Sequence, residues 1–182
     1  VLMAESHVGH EPFAVLLGDD LLAPRAAVLS RMMDVRDTFG GSVICLMQVP
    51  LDQISLYGCP AVEATDDAGV VLVTDLIEKP DTASAPSDFA VIGRYVLDPA
   101  VFEVLRSTEP GRGGELQLTD ALRTLAGMPV AEGGGVHGLV FDGRRYDTGD
   151  RLSYLKSVIT LACERDDIGP DLRSWLDDFT AG

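Results

Sequence analysis

The sequence predicts an α/β fold, a mixed and mostly parallel sheet flanked by helices. Three observations carry the prediction. Short apolar runs alternate with amphipathic helical stretches to the end of the 182-residue chain. Two of those runs, 13–17 and 42–49, are continuous rather than alternating, as in strands covered on both faces. Turn residues, among them Gly18-Asp19-Asp20, Gly40-Gly41 and Gly133-Gly134-Gly135, punctuate the transitions.

Taken in order, Val1-Leu2-Met3-Ala4-Glu5 reads as the middle of a helix with no cap before it, so the chain is expected to begin inside a larger domain. Residues 13–17 form the first buried strand. Pro24 opens a helix whose apolar stripe is Val28, Met32, Val35 and Phe39, and Gly40-Gly41 ends it. Residues 42–49 are a second buried strand. Strands at 61–65 and 70–77 are joined by Asp66-Asp67-Ala68-Gly69. After a loop at 81–87 rich in Pro, Ser and Ala comes a strand at 89–97. Asp98-Pro99 then starts a helix carrying Val101, Phe102 and Leu105. Pro110-Gly111-Arg112-Gly113-Gly114 connects to a helix at 115–126, and 136–141 is the next strand. Asp150 caps a long helix with Leu152, Leu155, Ile159 and Ala162 on one side. A last helix from Asp171 stacks Leu172, Trp175, Leu176 and Phe179. No linker separates two independent domains, so 1–182 is expected to be one domain ending in the helices of 150–182.

Composition narrows the function. A formal net charge of −15 and a pI of about 4.3 argue against nucleic-acid backbones and anionic membranes as partners. An acidic protein binds phosphates through a divalent cation or a few local positive groups. Cys45, Cys59 and Cys163 are far apart, and Cys45 and Cys163 read as reduced core residues. With no signal peptide and no apolar run near 18 residues, the expected location is the cytoplasm.

Lys79 stands out because the chain has 12 arginines and only one other lysine, Lys156. A compact ammonium suits point contact with a phosphate in a tight pocket, where a planar guanidinium fits badly. Glu78 beside it can accept hydrogen bonds from sugar hydroxyls. The plainer alternative is a surface charge pair ending a strand, with Pro80 blocking further ladder bonds. Ligands of open α/β sheets bind at the carboxyl ends of strands, where Asp19, Glu78-Lys79 and Asp147 all lie. Two converging carboxylates, Asp19 and Asp147, would suit Mg²⁺, a hard cation that shares its shell with substrate phosphates. Equally, Asp19-Asp20 and Asp147-Thr148-Gly149-Asp150 are good turn and cap sequences. His7 and His10 read as a solvated helix end. Residues 111–114 lack the Gly-Lys-Ser/Thr ending of a nucleotide-triphosphate loop, and no nucleophile elbow is present.

Six ordered segments together resemble the sugar-nucleotide pyrophosphorylases, and more narrowly the bacterial UTP–glucose-1-phosphate uridylyltransferases. They are Glu11-Pro12-Phe13-Ala14-Val15-Leu16-Leu17-Gly18-Asp19-Asp20, Tyr57-Gly58, Ile77-Glu78-Lys79-Pro80, Ala90-Val91-Ile92-Gly93-Arg94-Tyr95-Val96-Leu97, Gly114-Glu115-Leu116-Gln117-Leu118-Thr119-Asp120-Ala121 and Tyr146-Asp147-Thr148-Gly149-Asp150. The resemblance implies a Rossmann-like nucleotidyltransferase fold, incomplete at its N-terminus. It implies the Mg²⁺-assisted reaction of UTP with glucose 1-phosphate to give UDP-glucose and pyrophosphate.

By the same resemblance, Asp19 is the principal Mg²⁺ ligand and Asp147 a second metal-facing carboxylate. Gly58, Glu78 and Val91 meet the sugar, Lys79 neutralises its phosphate, and Arg112 contacts phosphate. The family's opening strand and its glycine-rich, Arg- and Lys-bearing loop have no match here, and Cys59 stands where an aliphatic residue is usual. This chain alone is therefore expected to be poorly active. A dTTP- or CTP-dependent relative and a non-catalytic sugar-phosphate-binding or assembly fragment remain as alternatives. The final helices resemble an oligomer-forming end, so a homo-oligomer is expected.

Overall fold

The computed structural model describes residues 1–22, 27–111 and 114–181. In chain order its strands are β1 (Phe13–Leu16), β2 (Asp20–Leu22), β3 (Ser42–Gln48), β4 (Gly58–Ala64), β5 (Val70–Glu78), β6 (Phe89–Leu97), β7 (Val136–Val140) and β8 (Arg145–Asp147). Its α-helices are α1 (Glu5–Val8), α2 (Val28–Phe39), α3 (Ala100–Ser107), α4 (Leu118–Ala126), α5 (Arg151–Cys163) and α6 (Gly169–Ala181). They fall into two compact units, one of residues 1–17 and 25–142, the other of residues 18–24 and 143–182.

The larger unit is a six-stranded sheet in the order β1-β6-β3-β7-β5-β4. The α/β class holds, but the sheet is not mostly parallel. Among the described strands only β3 and β7 run parallel; the other neighbouring pairs are antiparallel. Continuous apolar runs report that both faces are covered, not which way a neighbour runs. The short link after β4 leaves a hairpin as the only solution for β4 and β5, since a parallel return needs a dozen or more residues.

Helices cover both faces because the strands supply apolar side chains to both. In β3, Ile44 and Leu46 join a core with Val136 of β7, Val101, Phe102 and Leu105 of α3, and Ala121, Leu122 and Leu125 of α4. Alternation sends Val43, with its register partner His137, to the opposite face, where His137 stacks on Phe39 of α2 at 4.6 Å. Met32 and Val35, the α2 stripe, are fully buried. Gly138 permits this density: a Cβ there would lie 2.3 Å from Leu46 Cδ1 and 2.9 Å from Val71 Cγ2.

Several expected elements shift. β1 is an edge strand pairing only β6, with alternating burial and Leu16 53 % exposed, rather than a strand covered on both faces. β4 begins at Gly58, ahead of the expected start, because Pro60 is tolerated on an edge strand. α4 begins only at Leu118: Gly111 N–H bonds Glu115 O at 2.9 Å, Gly114 takes φ 76°, and Gln117 is still extended. The position of Pro24 lies outside the described residues.

In the smaller unit β2 pairs antiparallel with β8. Asp150 does cap α5, accepting from Ser153 N–H at 2.8 Å, which holds its carboxyl below the usual carboxylate range. The expected apolar side of α5 is open to solvent at Leu152, Leu155 and Ile159, and Cys163 is half-buried rather than core. Trp175 and Phe179 of α6 stack on each other at 5.2 Å and are exposed. All three cysteines are free, and among the described residues no helix is long and apolar enough to cross a membrane.

Burial lowers the pKa of His137 below its ordinary 6.5, and its Nδ1 has no hydrogen-bond partner. The unfolded chain therefore takes up this proton first as pH falls. The stability associated with neutral His137 is full above about 6.5 and is lost as pH drops from there through the folded value. His137→Phe keeps an aromatic ring against Phe39 without the titration. Urea unfolding at pH 7.5 and 5.5 should show a smaller loss of midpoint for this variant than for the wild-type chain.

Candidate functional site

In the larger unit the site is built on the open end of the β4–β5 hairpin. Antiparallel register sets Gly58 opposite Glu78, and Lys79 N–H bonds Tyr57 O at 3.0 Å to close that end. Closing it there puts Lys79 in the left-handed region at φ 47°, the only non-glycine residue with positive φ among those described. For a side-chain-bearing residue this conformation costs roughly 1–2 kcal/mol. Strain of this kind is found where a side chain must be aimed.

The Glu78 carboxylate has two different surroundings. Thr119, the second residue of α4, donates its hydroxyl to Glu78 Oε2 at 2.6 Å. Lys79 Nζ lies 3.7 Å from Oε1, with side-chain exposures of 47 % for Lys79 and 19 % for Glu78. Both groups press on the Gly58 backbone: a Cβ there would stand 3.3 Å from Thr119 Oγ1 and 3.4 Å from Glu78 Oε2. Cys59 and Ala90 share a buried cluster with Ile54, which places their chain neighbours Gly58 and Val91 at the same end of the sheet. The side chain of Val91 packs on the core. Three of the five sequence-expected sugar-phosphate residues, Gly58, Glu78 and Lys79, thus gather in one place, while Val91 lies on β6. Arg112 lies outside the described residues.

In the smaller unit the β2–β8 ladder sets Asp20 opposite Asp147. Thr148 ties down the start of β2, donating both its N–H (2.7 Å) and its hydroxyl (2.9 Å) to the Asp19 carbonyl. Asp19 and Asp147, at opposite ends of the sequence, are brought together around Gly149. The point where a Gly149 Cβ would sit is 3.2 Å from Asp19 Oδ2 and 3.4 Å from Asp147 Oδ1. Arg145 Nε donates to Asp20 Oδ1 at 2.7 Å, and its Nη2 lies 3.4 Å from Asp147 Oδ2. Asp147 Oδ1 accepts from Gly149 N–H at 3.0 Å. The two side chains that border Gly149 thus present carboxylate oxygens. Carboxylate oxygens are the donors a hard cation takes, while among the described residues no group of three or more His, Cys, Asp or Glu is placed to hold a metal ion.

Thr119 and Arg145 escaped the sequence reading. Thr119 lies inside a segment already singled out, but nothing local told which of its polar residues would face Glu78. Arg145 was findable, because alternation along β8 puts residues 145 and 147 on one side.

Two variants test this geometry. Lys79→Gly removes the left-handed penalty and Lys79→Ala retains it, so the glycine variant should unfold no earlier than the alanine variant in thermal melts. Glycine's extra unfolded-state entropy, worth about 0.4–1 kcal/mol, is offset by the relief. Arg145→Ala takes the guanidinium away from Asp20, whose side chain is 6 % exposed, and should cost roughly 3 kcal/mol in denaturant unfolding. Asp20→Asn should cost less, because Arg145 still has Asp147 within reach.

Comparison with known proteins agrees with this architecture. The family model for nucleotidyl transferases matches residues 1–162. A UTP–glucose-1-phosphate uridylyltransferase of Streptococcus pneumoniae is 40 % identical over 180 residues, covering 97 % of this chain and 58 % of its own length. One from Bacillus subtilis is 40 % identical over 179 residues, covering 98 % and 58 %. A UDP-glucose pyrophosphorylase solved with UDP-glucose superposes with a TM-score of 0.82 at 36 % identity, over 90 % of this chain and 61 % of that one. A UTP-bound pyrophosphorylase of Acinetobacter baumannii gives 0.80 at 30 % identity, over 96 % and 59 %. The chain spans 58 % of the length of those two curated relatives. With the family model matching most of its residues, the chain belongs to the nucleotidyl transferase family.

Proposed function

We propose that this chain carries the sugar-phosphate and cation-binding groups of a UTP–glucose-1-phosphate uridylyltransferase, which forms UDP-glucose and pyrophosphate. The observation that carries the reading is the Gly58–Glu78–Lys79 end of the hairpin. A bare glycine backbone, an oriented carboxylate and a half-exposed ammonium on a left-handed backbone, 3.7 Å from that carboxylate, gather there. A hexose 1-phosphate offers the complement: hydroxyls that donate to Glu78 and a dianion for Lys79. The 40 % identity to enzymes of that name, and the likeness to a pyrophosphorylase holding UDP-glucose, support the same substrate pair.

In the reaction, a phosphate oxygen of glucose 1-phosphate attacks the α-phosphorus of UTP in line, the bond to the β-phosphate oxygen breaks, and pyrophosphate leaves. No covalent enzyme intermediate is needed. Such a step depends on alignment and charge stabilisation. Glu78 and the Gly58 backbone hold the hexose, the Val91 backbone lies against it, and Lys79 balances charge on its phosphate. Asp19 and Asp147 would hold Mg²⁺, which when bound screens the nucleotide phosphates and favours the departure of pyrophosphate. In a chain of net charge −15, Lys79 supplies local positive charge for the sugar phosphate.

Calorimetric titration with UDP-glucose and Mg²⁺ tests the reading. Saturable binding is expected for the wild-type chain, weakened at least about tenfold by Lys79→Ala, a loss comparable to that of a hydrogen bond to a charged group. Absence of binding by the wild-type chain at millimolar ligand would overturn it. Asp19→Asn should weaken Mg²⁺ binding measured without any nucleotide. Pyrophosphate release with glucose 1-phosphate should be faster with UTP than with dTTP or CTP; a faster rate with either of those would move the assignment to a related nucleotidyltransferase.

A further inference from the structure

We infer that Thr119 is a positioning residue for the hexose, fixing which Glu78 oxygen the sugar meets. The inference rests on the sugar-phosphate reading of this site and adds to it a residue and a specific task. Three observations lead to it. The hydroxyl of Thr119 donates to Glu78 Oε2 at 2.6 Å, within the range of a charge-assisted O–H···O⁻ bond. Thr119 occupies the second position of the nine-residue α4, whose first-turn amides have no carbonyl one turn earlier within the helix. Glu78 is therefore anchored beside the positive end of a helix rather than in open solvent. Finally, Thr119 Oγ1 and Cγ2 stand 3.3 and 3.5 Å from where a Gly58 Cβ would be, so the glycine backbone and the threonine enclose the carboxylate from two sides.

The consequence is chemical. A hydroxyl has one proton to give, and Thr119 spends it on Glu78. Its own oxygen then has only lone pairs left to offer, as has the carboxylate. The wall made by Glu78 and Thr119 is thus acceptor-only, matched to donating sugar hydroxyls and unfavourable to a group that must itself accept. Oε2 is committed to Thr119 and Oε1 faces Lys79 at 3.7 Å, so rotation of the carboxylate is blocked. The β-branch of threonine adds to this, because its χ1 is restricted.

The test compares Thr119→Val, which keeps the shape and removes the hydroxyl, with Thr119→Ser, which keeps the hydroxyl and removes the methyl. Each is titrated calorimetrically with glucose 1-phosphate and, separately, with inorganic phosphate. The expected result is about tenfold weaker glucose 1-phosphate binding for Thr119→Val, the loss typical of a hydrogen bond to a charged group. Thr119→Ser should stay within about threefold of wild type, and inorganic phosphate should bind all three alike. Equal glucose 1-phosphate affinity across the three proteins would overturn the role of Thr119 while leaving the site reading intact. Equal weakening in both variants would overturn it in favour of packing by the methyl group. No glucose 1-phosphate binding by the wild-type chain would overturn the site reading and this inference with it. If Thr119→Val does not fold by circular dichroism, Thr119→Ala takes its place, with the same serine comparison.

Discussion

The register of β4 against β5 is the constraint on which the Gly58–Glu78–Lys79 cluster depends. It places the residue without a side chain, Gly58, directly opposite Glu78. One residue further, the Lys79 amide reaches back to Tyr57 and turns the backbone left-handed. Pro80 follows and narrows the conformations open to Lys79. A slip of one residue would turn Glu78 to the other face and put a Cβ where Thr119 and the carboxylate now approach the backbone. The register is supported by Val73 and Leu76 of β5, which share the common core with Leu122 and Leu125 of α4. That same packing brings α4 over β5, and with it Thr119 over Glu78. Hydrophobic burial, which has no directional preference of its own, thereby sets a hydrogen-bond geometry at the rim.

Charge is organised on a finer scale than the net value of −15 suggests. Many arginines are engaged with carboxylates: Arg31 with Asp67, Arg36 with Asp98, Arg106 with Glu5 and Glu103, Arg123 with Asp75, Arg145 with Asp20. Several of these pairs are half-exposed and contribute little stability individually. Their effect is to keep guanidinium groups occupied along the surface. Lys79 differs from them in kind. Its acid neighbour sits at 3.7 Å, longer than the other pairs, and shares its carboxylate with a threonine.

Much of this was legible in the sequence, for identifiable reasons. The core helices were readable because Val28, Met32 and Val35, or Val101, Phe102 and Leu105, repeat at helical spacing. All of them are buried as that spacing requires. The short ordered motifs that carry Gly58, Glu78 and Lys79 do meet at one end of the β4–β5 hairpin. Strand direction was not readable: the apolar runs of β3 and β7 look alike whether their neighbours are parallel or antiparallel. Nor was the edge position of β1, since Phe13-Ala14-Val15-Leu16 has the composition of a covered strand while Leu16 faces solvent. The late start of α4 depends on Gly111 folding back to Glu115, a loop bond invisible to periodicity. Thr119 falls in the same category. Its partner lies 41 residues away in the chain, and only the packing of α4 on β5 makes them neighbours.

The consecutive aspartates that open β2 show how one local pattern yields two different outcomes. From the sequence, Asp19 reads equally well as a metal ligand with Asp147 or, with Asp20, as part of a turn. In the structure Asp19 lies in the turn and Asp20 begins β2. Asp20 turns inward, is 4 % exposed, and is matched to Arg145, which is itself largely buried. A carboxylate so placed is part of the framework, since uncovering it would leave charge in a poorly solvated position. Asp19 turns outward beside Gly149, where its Oδ2 and the Oδ1 of Asp147 border the same small space. The backbone of Asp19 is immobilised by both bonds from Thr148, so its side chain is presented from a fixed base. Arg145 links the two roles: the guanidinium that neutralises buried Asp20 also reaches Asp147 Oδ2 and leaves Oδ1 facing Asp19. The pairing that fixes Asp20 thus also holds Asp147, while Asp19 stays exposed beside Gly149.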